Sequence, residues 1–510
     1  MKYRIIALLL LIFTHIGAPL SVNAENPVVI RRTDIIPSAE RAWQGWGTSL
    51  CWWANRIGYS PELVGRAAGM FFDKESGLGL NIMRYNIGGG DDPSHHHITR
   101  TDSDIPGWFS YDATTESYTF NPIADRRQLN MLEAAAKAAG NEAYIEVFSN
   151  SPPYFMTNSG CSTGNFNAAE NNLRDDRYTE FAEYLSVVAA FMQDSLGLKI
   201  GSIAPMNEPN TNYWGAGSAK QEGCHFDSGV SQSRIVTETA KAMERHGLDN
   251  VTLTASDETD PGRQLRELRE FSDTALEHIG RINTHTYGIG GIKELGDEVR
   301  SRGLELWMSE VDGNGISGEN AGEMAAALWL SEKIIYDITQ LKPSAWVLWQ
   351  VIDTHVSDSG FGGRKDRGSL NLGGGYWGTA YADHNTGIIH ASQKYYAFGQ
   401  FTRYIRPGAV LIDCGRSPVK GCSFIAASDG KRGTFTIVAV NSTSGKQGVE
   451  FDVSDFGIRR SPVRTVRTSG DILSGEHWKE IEGSRVSRGK LHAELDPNSV
   501  TTYVIRYRKR

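Results

Sequence analysis

The stretch Ile200-Gly-Ser-Ile-Ala-Pro-Met-Asn-Glu-Pro-Asn210 joins a short apolar strand to a polar turn. Residues 200–205 have strand character, and Asn207 and Glu208 follow where that strand would end. Polar side chains placed directly after a buried strand are typical of the carboxyl edge of a parallel sheet. The same arrangement recurs along the chain on both sides of this segment.

Short strand-like runs alternate with amphipathic helical patterns from residue 45 to residue 405. The helical patterns are clearest over 125–139, 177–196 and 319–341. The eight candidate strands cover residues 45–49, 80–85, 143–148, 200–205, 251–255, 282–285, 304–309 and 345–350. Eight strand–helix units within about 360 residues predict an α/β fold, the (β/α)8 TIM barrel, as the catalytic domain.

Three further segments complete the predicted domain organisation. Residues 1–24 combine a basic start, an apolar core and small residues at a cleavage position, which predicts a signal peptide and a secreted or periplasmic protein. Residues 406–510 show short alternating strands, which predict an antiparallel β-sandwich. Residues 25–44 contain one isolated strand, and we expect it to join that sandwich because a lone strand cannot satisfy its own backbone.

The charge balance limits the partners of the protein. The chain has 52 basic and 60 acidic residues and no basic tract, which argues against nucleic acid as the main partner. After removal of the signal peptide, no run is long and apolar enough to span a membrane. A neutral polysaccharide or oligosaccharide fits this balance as substrate. We expect a monomer with no cofactor and no metal.

The five cysteines suggest pairing in an exported protein. Cys161 and Cys224 lie in segments assigned to the same end of the barrel. Cys414 and Cys422 flank a turn-rich segment that could close as a small loop. Cys51 would remain as the odd thiol. The alternative is that all five thiols are free.

Polar side chains end the predicted barrel strands, where barrel enzymes have their active sites. They are Arg84, Asn150, Asn207, Glu208, Asp257, His285, Tyr287, Glu310, Trp349 and Gln350. Glu208 follows the fourth strand and Glu310 the seventh, which lie nearly opposite each other, so the two carboxyls can converge. A retaining glycosidase needs two carboxyls about 5–5.5 Å apart. We therefore expect a retaining glycoside hydrolase.

The two carboxyl groups must hold protons differently to perform two roles. As nucleophile, Glu310 should be ionised, with Tyr287 or Arg84 stabilising its charge. As acid/base, Glu208 should stay protonated, because the charge of Glu310 and partial burial raise its pKa. The Asn207 amide is placed to hydrogen-bond the sugar 2-hydroxyl.

The side chains expected to bind substrate, besides Asn207, are Arg84, Asn150, Tyr287, His285, Trp349, Trp53, Asp91 and Asp92. Trp349 is expected to form the floor of a sugar subsite. For Trp53, packing in the hydrophobic core and contact with sugar in the cleft are equally expected. Asp91 and Asp92 are expected in a polar loop that lines the cleft. A metal site formed with the histidines at 95–97 is the alternative, although three successive histidines rarely converge on one ion.

Four segments resemble glycoside hydrolase family 30, of the clan of retaining (β/α)8 hydrolases. They are Gly45-Trp-Gly-Thr-Ser-Leu-Cys-Trp-Trp-Ala54, Met83-Arg-Tyr-Asn-Ile-Gly-Gly-Gly-Asp-Asp92, Ser149-Asn-Ser-Pro-Pro-Tyr-Phe-Met156 and Met206-Asn-Glu-Pro-Asn210. The first resembles the endo-β-1,6-galactanase subgroup. The resemblance implies Glu208 as acid/base, Glu310 as nucleophile, and hydrolysis of β-1,6-linked galactan in arabinogalactan side chains. Phe155 stands where relatives often have Trp.

Two alternatives remain beside this hypothesis. The first is another family 30 β-glycanase or an exo-β-glycosidase, acting on β-1,6-glucan or xylan or releasing galactobiose. The second is a carbohydrate-binding protein that has lost catalysis, against which the presence of both glutamates argues. Endo and exo action depend on loop shape, which the sequence does not define.

Overall fold

The structure, a computed structural model, describes residues 27–37, 42–94, 96–313, 323–371, 376–415 and 417–507. The predicted signal peptide at 1–24 and His95 lie outside these ranges. Within them, no helix has the length and apolar character needed to cross a membrane.

The secondary structure alternates through the first four fifths of the chain and is almost entirely strand in the last fifth. The strands are β1 Val28–Val29, β2 Gly45–Ser49, β3 Ile82–Asn86, β4 Phe109–Asp112, β5 Ser117–Phe120, β6 Tyr144–Phe148, β7 Ile200–Ala204, β8 Thr252–Glu258, β9 Arg281–His285, β10 Glu305–Glu310, β11 Ala345–Gln350, β12 Ile352–Val356, β13 Ala380–Asp383, β14 Ile388–Ala391, β15 Val410–Asp413, β16 Cys422–Asp429, β17 Thr434–Asn441, β18 Gln447–Asp452, β19 Arg460–Ser469, β20 Glu476–Ile481, β21 Arg485–Ser487, β22 Lys490–Leu495 and β23 Ser499–Arg506. The α-helices are α1 Trp53–Ile57, α2 Pro61–Ala67, α3 Arg126–Ala139, α4 Tyr178–Asp194, α5 Val230–Arg245, α6 Pro261–Glu270, α7 Asp273–His278, α8 Ile292–Ser301, α9 Met324–Gln340, α10 Arg367–Asn371 and α11 Gln393–Thr402.

A closed parallel barrel forms the centre of the molecule, with the strand order β10-β11-β2-β3-β6-β7-β8-β9. The prediction of a TIM barrel is confirmed, and its strands are the eight predicted from the alternating pattern. The first and last, Gly45–Ser49 and Ala345–Gln350, have the predicted bounds. Strand β8 extends three residues beyond the predicted 251–255, because its polar end Ser256-Asp257-Glu258 is fully buried.

Two small sheets on the barrel were not predicted. Strands β4 and β5 form a hairpin after β3, and β12, β13 and β14 form a three-stranded sheet after β11. The β5 strand is mostly exposed, so it lacks the buried alternation by which a strand is recognised from sequence.

The C-terminal domain is an antiparallel sandwich whose layers share one long strand. Strand β19 pairs with β21 through residues 460–462 and with β23 through residues 463–469, so it passes from one layer to the other. The layers meet face to face, with the rings of Phe424 and Phe451 5.1 Å apart. From the N-terminal segment, β1 pairs in parallel with β18 in this domain.

A continuous apolar core joins the sandwich to the barrel. It includes Val438 and Val500 from the sandwich together with Phe398 from α11. Trp478 also packs against α11, where its indole Nε1 donates to the carbonyl of Tyr396. The boundary at residues 405–406 stays a prediction, although the sandwich begins a few residues later, at β15.

The four cysteines expected to pair are free, buried thiols in the structure, and so is Cys51. The expectation of two disulfides, Cys161 with Cys224 and Cys414 with Cys422, is therefore wrong here. Cys224 Sγ donates instead to the carbonyl of its neighbour, residue 225, at 3.5 Å. Burial raises the pKa of Cys224 to about 12 and that of Cys422 to about 11, which keeps both thiols protonated at neutral pH.

Candidate active site

Glu208 and Glu310 converge at the carboxyl end of the barrel. Glu310 is the last residue of β10, and Glu208 lies in the loop that follows β7. One carboxylate oxygen of each lies within 4.8 Å of the other. Only 8% of Glu208 and 4% of Glu310 is exposed. The pair is thus held close together in a site shielded from water.

The backbone around Glu208 is fixed in a strained conformation that aims its side chain. Glu208 has a φ of 45° and Asp257 a φ of 69°, both in the left-handed region that residues other than glycine rarely adopt. The N–H of Glu208 donates to the carbonyl of Asp257 at 2.9 Å. Trp214 Nε1 donates to the carbonyl of Glu208 at 3.2 Å. Such strain persists where surrounding contacts enforce it, commonly at functional sites.

Three donors surround the carboxylate of Glu310. Arg84 Nη1 donates to Oε2 at 3.1 Å, and the Tyr287 hydroxyl donates to Oε1 at 3.1 Å. His285 Nδ1 lies 3.6 Å from Oε1. Both neighbours named from the sequence, Tyr287 and Arg84, therefore contact Glu310.

His285 and Tyr213 hold the Glu208 carboxylate, and the sequence prediction named only His285 among the site residues. His285 Nδ1 lies 3.1 Å from Oε1. The hydroxyl of Tyr213 donates to Oε2. Tyr213 comes five residues after Glu208 in an irregular loop, so no periodicity relates it to the carboxyl. Its proximity to Asn207-Glu208 was the only signal available.

A network of buried charges lies beneath the pair. Arg84 donates to Glu146 at 2.9 Å and to Asp257, and Arg281 donates to Glu146 as well. His285 Nε2 lies 3.3 Å from Asp257 Oδ1. Glu146 and Arg281 were not predicted, although a charged residue inside the apolar runs of β6 and β9 is a signal that could have revealed them.

The charges of this network balance only if the catalytic pair holds one proton. The cations are Arg84, Arg281 and protonated His285, and the carboxylates are Glu146, Asp257, Glu208 and Glu310. Three positive charges face four negative ones, so one proton on Glu208 or Glu310 makes the cluster neutral. An uncompensated buried charge is costly. One protonated and one ionised carboxyl is the state that a retaining glycosidase requires.

In the substrate-free site the pKa values shift opposite to the expectation. Burial alone would raise the pKa of Glu208, but the hydrogen bond and positive charge of His285 lower it below its ordinary value. Burial raises the pKa of Glu310 to about 7, only partly offset by the charges of His285 and Arg84. His285 itself has a pKa well above its usual range, because the charges of Glu310 and Asp257 outweigh burial. Hydrogen bonds from Tyr213 and Thr259 lower the pKa of Glu208 further, while the negative charges of Glu208 and Asp257 raise that of Glu310, and together these contacts explain the order.

Two residues expected to bind substrate lie away from the cleft. The Arg84 side chain is fully buried, and its donors are used by Glu146, Glu310, Asp257 and a backbone carbonyl. It orients the nucleophile from below. Trp53 is also fully buried, with its indole donating to the carbonyl of residue 49 at 2.9 Å. It is part of the hydrophobic core, so the core alternative was correct for Trp53.

The acidic loop after β3 is held by contacts of its own. Asp91 lies 3.0 Å from His97 and accepts from the N–H of Ile98. Asp92 accepts from the N–H of residue 94 and so stabilises a turn. Asn150 is buried, and its Nδ2 lies 3.9 Å from Cys51 Sγ. These contacts favour a structural role for Asp91, Asp92 and Asn150 over direct contact with a sugar.

Asn207 and Trp349 lie next to the two glutamates. Asn207 Oδ1 is buried and has no hydrogen-bond partner among the described residues. Trp349 is half-buried, and its ring lies 5.8 Å from that of Trp52. Its backbone N–H donates to the carbonyl of Val311, the residue after the nucleophile. Phe155, by contrast, stacks on a tyrosine of the β4–β5 hairpin at 4.5 Å.

The geometry of Glu208, His285 and Glu310 would also allow a metal ion, since one atom from each lies within 4.8 Å of the others. Their surroundings suit a proton better than a cation. Arg84 places a fixed positive charge against Glu310, the hydroxyl of Tyr287 donates to Glu310, and the hydroxyl of Tyr213 donates to Glu208. A divalent ion would have to displace these donors.

A closed parallel barrel with two carboxyls converging at the ends of its fourth and seventh strands defines a glycoside hydrolase. The family model described as O-Glycosyl hydrolase family 30 matches residues 34–254. Over this segment the chain is similar to glycoside hydrolase family 30.

Similar proteins agree with this assignment. An endo-beta-1,6-galactanase of Hypocrea rufa is 28% identical over 91% of this chain and 92% of its own length. An exo-beta-1,6-galactobiohydrolase of Bifidobacterium longum is 25% identical over 82% of this chain, which spans 35% of that longer protein. The catalytic domain of GH30 xylanase C from Talaromyces cellulolyticus has the same fold, with a TM-score of 0.69 at 18% identity over 94% of this chain and 99% of that one.

Proposed function

We propose that this protein is a secreted, monomeric, retaining hydrolase of β-1,6-linked galactan that uses Glu310 as nucleophile and Glu208 as acid/base. The observation that supports the mechanism is the distance of at most 4.8 Å between their carboxylate oxygens. Retaining enzymes place the two carboxyls about 5–5.5 Å apart, whereas inverting enzymes need about 6.5–9.5 Å to admit a water. The spacing therefore favours double displacement.

In the first half of the reaction, an oxygen of Glu310 attacks the anomeric carbon and forms a covalent ester. The glycosidic bond breaks as its oxygen takes the proton of Glu208. In the second half, the Glu208 carboxylate takes a proton from water, and the water oxygen attacks the anomeric carbon. The ester breaks, Glu310 leaves as a carboxylate, and the anomeric configuration is retained.

The shared proton must move to Glu208 before the first step. In the substrate-free site the positive charge of His285 favours ionised Glu208. A glycosidic oxygen bound beside Glu208 accepts a hydrogen bond only from the protonated acid, so substrate binding stabilises that form. Arg84 and Tyr287, which donate to Glu310, stabilise the ionised nucleophile that results.

Contacts around the pair support binding of a neutral sugar. The unpaired Oδ1 of Asn207 can accept a hydrogen bond from the 2-hydroxyl, a contact that strengthens in the transition state. Trp349 offers a half-buried ring to the apolar face of the sugar. Similarity to two enzymes named for β-1,6-galactan supports the linkage. The acidic overall charge supports a partner other than nucleic acid or an anionic membrane.

Incubation with linear β-1,6-galactan, followed by product analysis, tests this proposal. We expect oligosaccharides or galactobiose, with the β-anomer formed first when the reaction is followed by NMR. The variant Glu310→Gln is the control for contaminating activity. Cleavage of β-1,6-glucan or glucuronoxylan instead would refute the substrate but not the mechanism. An α-anomer as first product would refute the retaining mechanism.

A further inference from the structure

Tyr213 and Trp214 form an aromatic pair beside the acid/base. Their rings meet edge to face at 4.6 Å, and Trp214 is buried with its indole bonded to the carbonyl of Glu208. Tyr213 is 53% exposed, while its hydroxyl reaches into the site and donates to Glu208 Oε2. A solvent-facing ring thus places one hydrogen-bond donor directly on the acid/base.

The two oxygens of Glu208 face different surroundings. Oε1 faces His285, which is fully buried between the two catalytic carboxyls. Oε2 faces the half-exposed Tyr213. Since His285 covers Oε1 from the interior, a glycosidic oxygen arriving from solvent reaches Glu208 through Oε2. It must then compete with the Tyr213 hydroxyl for the same atom.

We propose that Tyr213 is a positioning residue that holds the Glu208 carboxylate through Oε2 in the empty site and yields this contact to the glycosidic oxygen of the substrate. The leaving group then lies over the Tyr213–Trp214 pair, which lines that side of the cleft. This inference rests on the proposed function, because it assigns the leaving-group side of the same site. In this way Glu208 becomes protonated when a glycosidic oxygen replaces the Tyr213 hydroxyl at Oε2.

The charges around Glu208 define what Tyr213 contributes. His285 and Glu310 face it from β9 and β10, Glu258 lies at the end of β8, and Lys220 lies on the same loop as Tyr213. Burial raises the pKa of Tyr213, and the charge of Glu208 raises it further, so the hydroxyl acts only as a donor. Removing that donor destabilises the Glu208 carboxylate and raises its pKa.

The variant Tyr213→Phe tests this inference, with Tyr111→Phe as matched control. Tyr111 is also a partly buried tyrosine, but it lies in strand β4 of the hairpin, where its ring stacks on that of Phe155. The full chain would be assayed on aryl β-1,6-galactobiosides with poor and good leaving groups. In the empty site the shared proton rests mainly on Glu310, so raising the pKa of Glu208 by about one unit should increase the share of enzyme with protonated Glu208 and raise kcat/KM for the poor leaving group up to about tenfold in Tyr213→Phe. A good leaving group needs little acid assistance, so its kcat/KM should stay close to that of wild type.

An NMR titration of glutamate labelled with ¹³C at the side-chain carboxyl measures the same effect without substrate. The pKa of Glu208, assigned through Glu208→Gln, should be higher in Tyr213→Phe than in wild type or Tyr111→Phe. An unchanged or lower pKa of Glu208 would overturn the inference, and so would a kcat/KM for the poor leaving group that changes equally in both variants. If wild type leaves galactobiosides intact while the pKa rises as expected, the substrate is refuted and the part of Tyr213 stands.

Discussion

Replacing Arg84 with lysine distinguishes positioning of the nucleophile from contact with substrate. The guanidinium donates in three directions at once, to Glu146, Asp257 and Glu310. A lysine ammonium is a single point and cannot reproduce that fork. Loss of the 3.1 Å bond to Glu310 removes a hydrogen bond between charged groups, about 1.5–3 kcal/mol. If that energy is lost in the transition state, kcat/KM falls roughly 10- to 150-fold.

The pH profile of Arg84→Lys gives a second measure. The positive charge of Arg84 lowers the pKa of Glu310, which holds the shared proton in the empty site, so a more distant charge lets this pKa rise and the alkaline limb of kcat/KM should move to higher pH. Arg56→Lys is the control, because Arg56 makes a similar buried fork to Asp366, at 2.9 and 2.7 Å, away from the catalytic carboxyls. We expect it to lower the unfolding temperature without moving the alkaline limb. A rise in KM alone for Arg84→Lys would refute our reasoning and restore Arg84 as a substrate contact.

Three further outcomes are expected. Glu208→Ala should lose roughly 10²- to 10⁴-fold in kcat on galactan, but much less in the first step with a dinitrophenyl glycoside, and azide should restore its turnover. Equal losses on both substrates would contradict the acid/base role. Burial alone would raise the pKa of Asp366, but hydrogen bonds from Arg56 and other donors lower it in the folded protein. The ionised Asp366 therefore stabilises the folded state above about pH 4, and this stabilisation is lost as pH falls through the lower pKa of the folded protein. The unfolding temperature of Asp366→Asn should therefore lie below that of wild type at pH 7, and this difference should shrink at pH 2; a constant difference would contradict the shift. Activity should survive dialysis against EDTA, and a loss restored by a divalent ion would favour a metal between Glu208 and Glu310.

The barrel could be predicted from sequence because its strands are short apolar runs separated by periodic helices. Residues 345–350, for instance, form a run whose side chains are mostly buried, which gives a strong signal. The hairpin β4–β5 gave none, since its exposed strand follows no buried alternation. Strand β20 of the sandwich gives a similarly weak signal, since its side chains are mostly half-buried and show no alternation.

The catalytic pair could be predicted because Glu208 and Glu310 directly follow or end strands, and the barrel fixes where those strands end. The contacts of other polar residues depend on side-chain directions that spacing does not define. Arg84 follows the same rule of position yet faces downward into a network of carboxylates. Tyr213 lies in an irregular loop, so only the folded chain brings it to Glu208. The order of the two pKa values likewise depends on which donors and charges the folded chain brings to each carboxyl.

Trapping the covalent intermediate is the most direct test of the mechanism. A 2-deoxy-2-fluoro-β-galactobiosyl fluoride should react with wild type and slow the hydrolysis of the resulting ester, so that intact-mass analysis shows one added glycosyl group. Peptide mapping should place that group on Glu310, and Glu310→Gln should remain unmodified. A glycosyl group on Glu208, or rapid turnover without any covalent species, would contradict the assignment of nucleophile and acid/base.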